Sequence, residues 1–346
     1  MATDAAAGRG AAPRGLLLAA FAAIYLIWGS TYLAIRIGLE TMPPFLMAGA
    51  RFLIAGTVLL VWARSRGIPM PTRAQWRSAF ILGGLFLLIG NGGVVWAEQR
   101  VPSGLAALLV AMLPVWTVII EWVQPGGQRP SLGIVAGLAT GFAGLAILVA
   151  PTEGGVAVDP LGAGALLLAS FSWAVAGVRS KRMALPASPP MSSGIQMLAG
   201  GTLLVIVGAL FGDFGRLDLA GMSTRSLAAV GYLIVFGSLV GFSAFAWLLQ
   251  VTTPSRVATY AYVNPVVAVL LGWALAGERL GMREIVAAVV IIAAVGLITT
   301  ARARTSPRIT QSPAATDRRE VALAPGVPAA ERDGTAKRGA AKRGAA

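Results

Sequence analysis

Two stretches of the chain repeat each other at a fixed spacing. Residues 90–122 begin Gly90-Asn91-Gly92-Gly93 and pass through Trp96, Gln99 and Pro114 to Trp122; residues 241–273 begin at Gly241 and pass through Trp247, Gln250 and Pro265 to Trp273. Every corresponding pair is 151 residues apart, as in 241 − 90 and 265 − 114. Five coincidences in residue types this uncommon indicate a duplicated unit. Each copy reads as an apolar helix, a short break, and a second apolar helix with a proline near its middle. Proline lacks the N–H that would bond four residues back, so the carbonyls of Val110 and Ala261 lose their helical donors. In lipid such a carbonyl is tolerated only where protein or a water-filled cavity faces it. Paired, proline-interrupted segments in two halves of a membrane protein point to a binding site shared between them.

The composition places the duplication in a bilayer. Of 346 residues, 56% are hydrophobic and 12% charged, with a mean hydropathy of +0.76, beyond the range of an ordinary soluble domain. There is no Cys and no His, which removes disulfides, thiolate metal sites, the commonest metal ligand and the commonest general base. No metal or cofactor is expected. Membrane enzymes of the His/Asp, Ser/His and zinc kinds lose a required residue, and an intramembrane aspartyl protease would need a mid-span Asp pair that is absent. The net charge of +14 sits in loops and tails between apolar spans and not along one face, so nucleic acid is not an expected partner.

Segments of about 20 apolar residues, the length that crosses a bilayer, fall at 16–37, 44–63, 77–97, 102–123, 131–150, 160–178, 191–212, 227–249, 256–276 and 281–300. The first run continues to Leu39, too long for the apolar core of a signal peptide. Pro43-Pro44, Pro125-Gly126-Gly127, Pro151, Pro160 and Pro189-Pro190 supply turns and stops between spans. The expected fold is an all-α integral membrane protein of ten helices: a repeat of five over residues 15–150 and another over 160–300. A tail of residues 1–14 precedes them, and a basic tail of residues 301–346 without hydrophobic periodicity follows. Because five is odd, the second copy enters the membrane upside down, giving an inverted repeat. With the N-terminus in the cytoplasm, Arg64, Arg66, Arg73, Arg77, Arg129, Arg179, Lys181, Arg182 and Arg256 gather on that side. Glu40, Glu153, Asp159, Asp213 and Asp218 then lie opposite, so both termini are expected to be cytoplasmic. Arg302, Arg304 and Arg308 could touch anionic headgroups, although a solvated tail accounts for them with less.

Several residues within the spans are candidates for function. Trp28, in Ile27-Trp28-Gly29-Ser30-Thr31-Tyr32, and Trp173, in Ser170-Phe171-Ser172-Trp173, lie inside the first span of each repeat. An indole away from the interface needs a partner for its N–H, or an aqueous cavity. Tyr260 and Asn264 share a helix face beside Pro265, Trp116 stands near Pro114, and Asn91 is an amide inside a span. These six are the candidate lining of an aromatic cavity with few fixed charges, suited to amphipathic or aromatic metabolites more than to phosphates. Arg51, about 10 Å into the second span, is either functional or snorkels to the headgroups. Glu98 and Glu121, near helix ends, are the remaining ionisable candidates, and ionisation at the interface accounts for both. Gly133, Gly137 and Gly141 form a small-residue stripe that allows either packing within the chain or a homodimer contact.

The strings Ile27-Trp28-Gly29-Ser30-Thr31-Tyr32, Arg51-Phe52, Gly90-Asn91-Gly92 through Glu98, Pro102-Ser103-Gly104, Ala261 through Gly272 and Gly277-Glu278 resemble the drug/metabolite transporter superfamily. Within it they resemble the ten-helix EamA-type branch and its YedA-like exporters. The resemblance spans residues 16–300 and excludes the tails. It implies a central cavity lined by the first, third, fourth, sixth, eighth and ninth helices, and a secondary transporter of the bacterial cytoplasmic membrane. Such a protein exports small amino-acid-like, aromatic or drug-like solutes by alternating access. No Lys occurs in any span, unlike the sugar-phosphate and nucleotide-sugar members, which argues against a phosphorylated substrate. The competing readings are a passive channel and a scaffold subunit, since an inverted repeat can also frame a pore.

Overall fold

In the computed structural model of the chain, the described residues are 13–305 without 126, 128, 151–158, 253–256, 258 and 279–280, and the side chains of 246, 249, 250, 262 and 302–305 are likewise left aside. The expectations for residues 1–12 and 306–346 and for Gly126, Pro151, Glu153 and Arg256 fall outside the described residues, as do those for the side chains of Gln250, Arg302 and Arg304; the last helix runs on to Thr305, five residues into the stretch expected as tail. No strand occurs among the described residues. The helices are α1 (Arg14–Gly38), α2 (Pro44–Ser65), α3 (Arg73–Ala97), α4 (Ser103–Val123), α5 (Leu132–Val149), α6 (Pro160–Ser180) and α7 (Pro189–Leu210). They continue with α8, formed by Thr224–Tyr232, Leu233–Val240 and Gly241–Val251, then α9 (Tyr260–Ala276) and α10 (Met282–Thr305). Among the described residues nine are long and apolar enough to cross a bilayer, and α9 supplies a shorter apolar segment, Val263–Ala276.

Local chemistry sets the helix starts. Pro44, Pro160 and Pro189 occupy first-turn positions, where the missing N–H costs nothing. Thr72 and Gln75 form a reciprocal capping box at the head of α3; Asp159 accepts from the Gly162 N–H at 2.9 Å, and Ser223 from that of Ser226 at 3.1 Å. Two carboxylates from distant loops cap other helices. Buried Asp213 accepts from the Phe45 N–H at 2.9 Å and pairs with Arg216 at 2.6 Å. Glu278 accepts from the N–H groups of Ser103 and Gly104, at 2.7 and 3.0 Å, at the head of α4. Anions at helix N-termini meet unbonded N–H groups and the positive end of the dipole.

The packing repeats on itself when each helix is exchanged for the one five places away. α1 lies against α8 and α9, and α6 lies against α3 and α4; α3 packs on α7 as α2 packs on α8. The pairs α2–α7 and α5–α10, the most extensive contacts, are each their own counterpart. At α2–α7 the exchange is visible residue by residue. A Cβ on Gly49 would lie 3.2 Å from the Gly201 carbonyl, and one on Gly194 would lie 3.2 Å from the Gly56 carbonyl. Gly49 and Gly194 are 145 residues apart, as are Gly56 and Gly201. Close approach through small residues is how helices gain contact in lipid, where no hydrophobic force drives them together. With five crossings per repeat, partners five apart run in opposite directions, so the repeat is inverted.

In the third helix of each repeat, eight residues adopt the wider π form: Gly84–Asn91 in α3 and Leu233–Val240 in α8. A π turn shifts hydrogen bonds from four to five residues, displaces carbonyls, and recurs at functional sites. Both stretches end against the first helix of the other repeat.

Candidate functional site

Each π stretch receives an indole from the opposite repeat. The Nε1–H of Trp173 on α6 donates to the Phe86 carbonyl at 2.6 Å, and that of Trp28 on α1 donates to the Gly237 carbonyl at 3.2 Å. Phe86 and Gly237 correspond at the 151-residue offset. The same correspondence relates Gly90 and Gly241, where an added Cβ would run into Nε1 and Cδ1 of Trp173 and Trp28 respectively. These two glycines are therefore the spaces that the indoles occupy. Trp28 also meets Tyr260 edge-on at 5.3 Å and Phe242 at 5.5 Å, and Trp173 meets Phe86 edge-on at 5.6 Å.

Both indoles line one cavity, with about 100 Å³ open to the centres of water-sized molecules. That is room for several waters or a small organic group. Its walls come from α1 (Trp28, Thr31, Tyr32, Ile35), α2 (Arg51), α3 (Gly90, Asn91, Val94) and α4 (Ala107, Val110, Ala111, Leu113). The second repeat adds α6 (Ala169, Ser170, Trp173), α8 (Phe242) and α9 (Tyr260, Ala261, Asn264, Pro265). The six helices implied by the family resemblance all contribute, and α2 adds a seventh through Arg51.

Of the six candidate lining residues, Trp28, Asn91, Trp173, Tyr260 and Asn264 come together here, and Trp116 does not. Its Nε1 donates to Ser170 Oγ at 3.0 Å, and its ring lies edge-on to Phe142 and Phe171, each at 5.8 Å. Ser170 reaches the cavity in its place. Asn91 Nδ2 donates to the Phe86 carbonyl at 3.4 Å, which thus serves two donors. The Asn264 amide nitrogen, turned toward the backbone, donates to the carbonyls of Tyr260 and Tyr25, both at 3.2 Å. The two prolines also differ. α9 runs through Pro265, which lines the cavity with Ala261. In α4 the helix breaks at Ala111–Met112 and restarts with Pro114 in its first turn, outside the lining. The break removes the strain that a proline inside a continuous α4 would have imposed.

The ionisable candidates separate clearly. Arg51 does not snorkel: it is 5% exposed, its Nε donates to Ser238 Oγ at 2.9 Å, and it lines the cavity. Glu98 is buried within the protein: it is 0% exposed, and neither carboxyl oxygen has a hydrogen-bond partner. It lies one turn beyond Val94, a lining residue, while Arg36 Nη1 donates to its backbone carbonyl at 2.5 Å. Arg100, its neighbour in sequence, turns instead onto the Trp96 ring and toward Asp159. Glu121 pairs with Lys181 at 3.4 Å, away from the cavity. Gly133, Gly137 and Gly141 all meet neighbouring side chains of the same chain; Gly133 and Gly137 face α10, at Ala301 and Ile298. The stripe thus serves packing within the chain. No cluster of three or more His, Cys, Asp or Glu occurs among the described residues.

Tyr32, Thr31, Ser170 and Phe242 also line the cavity, and Ser238 holds Arg51. Sequence reasoning named none of these as site residues. Only Tyr32 and Thr31 carried a signal, lying within a turn of Trp28 in a polar interruption of an apolar span.

A ten-helix bundle of two inverted repeats, with an aromatic cavity walled by both, is the architecture of a membrane transporter. Residues 13–150 and 160–300 each match the EamA-like transporter family, and the chain belongs to that family. It is 42% identical over 285 residues to YedA of Escherichia coli (strain K12), named an uncharacterized inner membrane transporter. That match covers 82% of this chain and 90% of that protein. A Salmonella typhimurium protein named "Probable amino-acid metabolite efflux pump" is 25% identical over 281 residues, covering 78% of this chain and 90% of that one. A solved crystal structure shares the fold with a TM-score of 0.59 at 23% identity, covering 85% of this chain and all of that one.

Proposed function

We propose that the chain is a secondary transporter of the bacterial cytoplasmic membrane that exports small amphipathic or aromatic metabolites by alternating access, with both termini in the cytoplasm. The observation that carries the reading is the reciprocal indole seat. Each repeat inserts the tryptophan of its first helix into the π turn of the other's third helix, and the cavity lies where the two seats meet. Two homologous halves joined this way can exchange roles, closing one seat while the other loosens, which moves access from one side of a fixed site to the other. The cavity's aromatic walls favour a flat or apolar solute body. The export direction and the membrane rest on what the relatives are named.

The test is counterflow in proteoliposomes containing the purified full chain, with a panel of aromatic and aliphatic amino acids and their amine and acid analogues. A transporter gives saturable uptake that is accelerated by unlabelled solute on the opposite side. Linear, non-accelerated flux would favour a channel, and no flux with any solute would count against the transport reading.

A further inference from the structure

We propose that Arg51 is the cavity's anion-binding group and that the transported solute carries a single carboxylate on an apolar or aromatic body. This rests on the transport reading above and narrows its substrate. Arg51 is the only charged side chain among the cavity's lining residues. A guanidinium keeps its charge and offers five N–H donors in a planar fork. One of these, Nε–H, is spent on Ser238 Oγ at 2.9 Å. The flat face is covered by the Phe52 ring, 4.7 Å from Cζ. Among the described residues Nη1 and Nη2 have no acceptor, and no carboxylate pairs with them. Neither nitrogen is sealed from the cavity. Gly237 keeps the fork clear, since a Cβ there would stand 3.0 Å from Nη2.

The acids inside the fold that might have neutralised Arg51 are engaged elsewhere or lie elsewhere. Asp213 caps α2 and pairs with Arg216, and Glu278 caps α4. The charged neighbours of Glu98 are Arg36 and Glu278. An unpaired cation inside a membrane protein is costly and marks a ligand pathway; an end-on carboxylate across Nη1 and Nη2 supplies the two missing acceptors with matching geometry. A doubly charged phosphate would call for a second cation, and the lining holds none.

The fold does not itself require the charge. The position equivalent to Arg51 in the second repeat, 145 residues on, is Gln196, and the one equivalent to Ser238, 151 residues back, is Leu87. Gln196 bonds only within its own helix, to Ser192. The duplicated scaffold therefore builds the same helix contact with neutral groups, and the Arg51–Ser238 pair breaks the symmetry of the cavity.

Three probes share a ring and differ in charge: phenylacetate, phenylalanine and phenethylamine. Binding is read as the rise in melting temperature of the detergent-solubilised full chain across a concentration series. Phenylacetate and phenylalanine should stabilise the native protein and phenethylamine should not. Arg51→Gln should weaken acid binding ~30-fold or more, the loss expected when one partner of a desolvated charge pair is removed. Arg51→Lys, which keeps the charge but not the fork, should fall between and also shows that the site tolerates change. Acid binding equal in all three proteins, amine binding as strong as acid binding in the native chain, or no acid binding at all would overturn the proposal. Because these are binding measurements, they fail independently of counterflow: acid binding that needs Arg51 but never produces counterflow would sink the transport reading and leave the anion site standing.

Discussion

Gly90 is where the reciprocal seat is most sensitive to a single methyl group. In Gly90→Ala the new Cβ falls against both Nε1 and Cδ1 of Trp173 and within 3.2 Å of the Leu85 carbonyl. The ring cannot slide along the helix without giving up its 2.6 Å bond to Phe86 O. Overpacking of this kind costs about 1–3 kcal/mol, and the lost indole hydrogen bond adds about 0.5–1.5 kcal/mol, so the expected loss is ~1.5–4.5 kcal/mol. Gly241→Ala should cost less. There the new Cβ still falls against Trp28 Nε1, but Cδ1 is 3.0 Å away and the bond to Gly237 O is 3.2 Å, so a smaller shift of the ring relieves the clash. The assay is the melting temperature of the purified protein by size-exclusion chromatography, with counterflow on the same preparations. The decisive comparison is rescue: Trp173→Phe should restore most of the stability lost in Gly90→Ala and none of that lost in Gly241→Ala, while Trp28→Phe should do the reverse. Rescue that ignores the pairing, or a Gly90→Ala protein that melts like the native chain, would refute the seat as the contact joining the halves.

Two further substitutions test carboxyl groups inside the fold. Glu278→Gln keeps the shape of the cap on α4 but removes its charge from the N–H groups of Ser103 and Gly104, and should lower stability by about 1–2 kcal/mol; an unchanged melting temperature would show that the charge contributes nothing. Glu98→Met removes two carboxyl oxygens that have no hydrogen-bond partner and should raise stability by about 1–3 kcal/mol. A fall in melting temperature would mean that the carboxyl group is bonded after all.

The spans were legible because a run of about 20 apolar residues has few other fates, and their observed bounds differ from the sequence reading by a few residues at most. The repeat was legible at the 151-residue offset. The offset of 145 that relates α1 and α2 to α6 and α7 emerged from the helix contacts, although Trp28 and Trp173 already stood in the first span of each repeat. The change between offsets comes from a longer connection around Asp213–Arg216, between α7 and α8. What the sequence could not disclose depends on contacts between distant residues. Ser238 sits in an unremarkable apolar run, 187 residues from the arginine it bonds. The π stretches have no composition of their own. Glu98 was read as ionised at the interface because hydropathy ends there, whereas the fold buries its carboxyl group inside the protein. Trp116 was assigned to the cavity through its nearness to Pro114, but the break at Ala111–Met112 turns its ring toward Ser170 and Phe171.

The central claim is that one cavity between two oppositely oriented repeats opens in turn to each side of the membrane. The chain has no cysteine, so a single thiol in Asn264→Cys reports on that cavity without background. Its alkylation by a membrane-impermeant maleimide can be timed in right-side-out and in inside-out vesicles. Labelling from both faces is the predicted result, with Gly137→Cys, buried against Ile298, unreactive from either. Labelling from one face alone, or from neither, would contradict it.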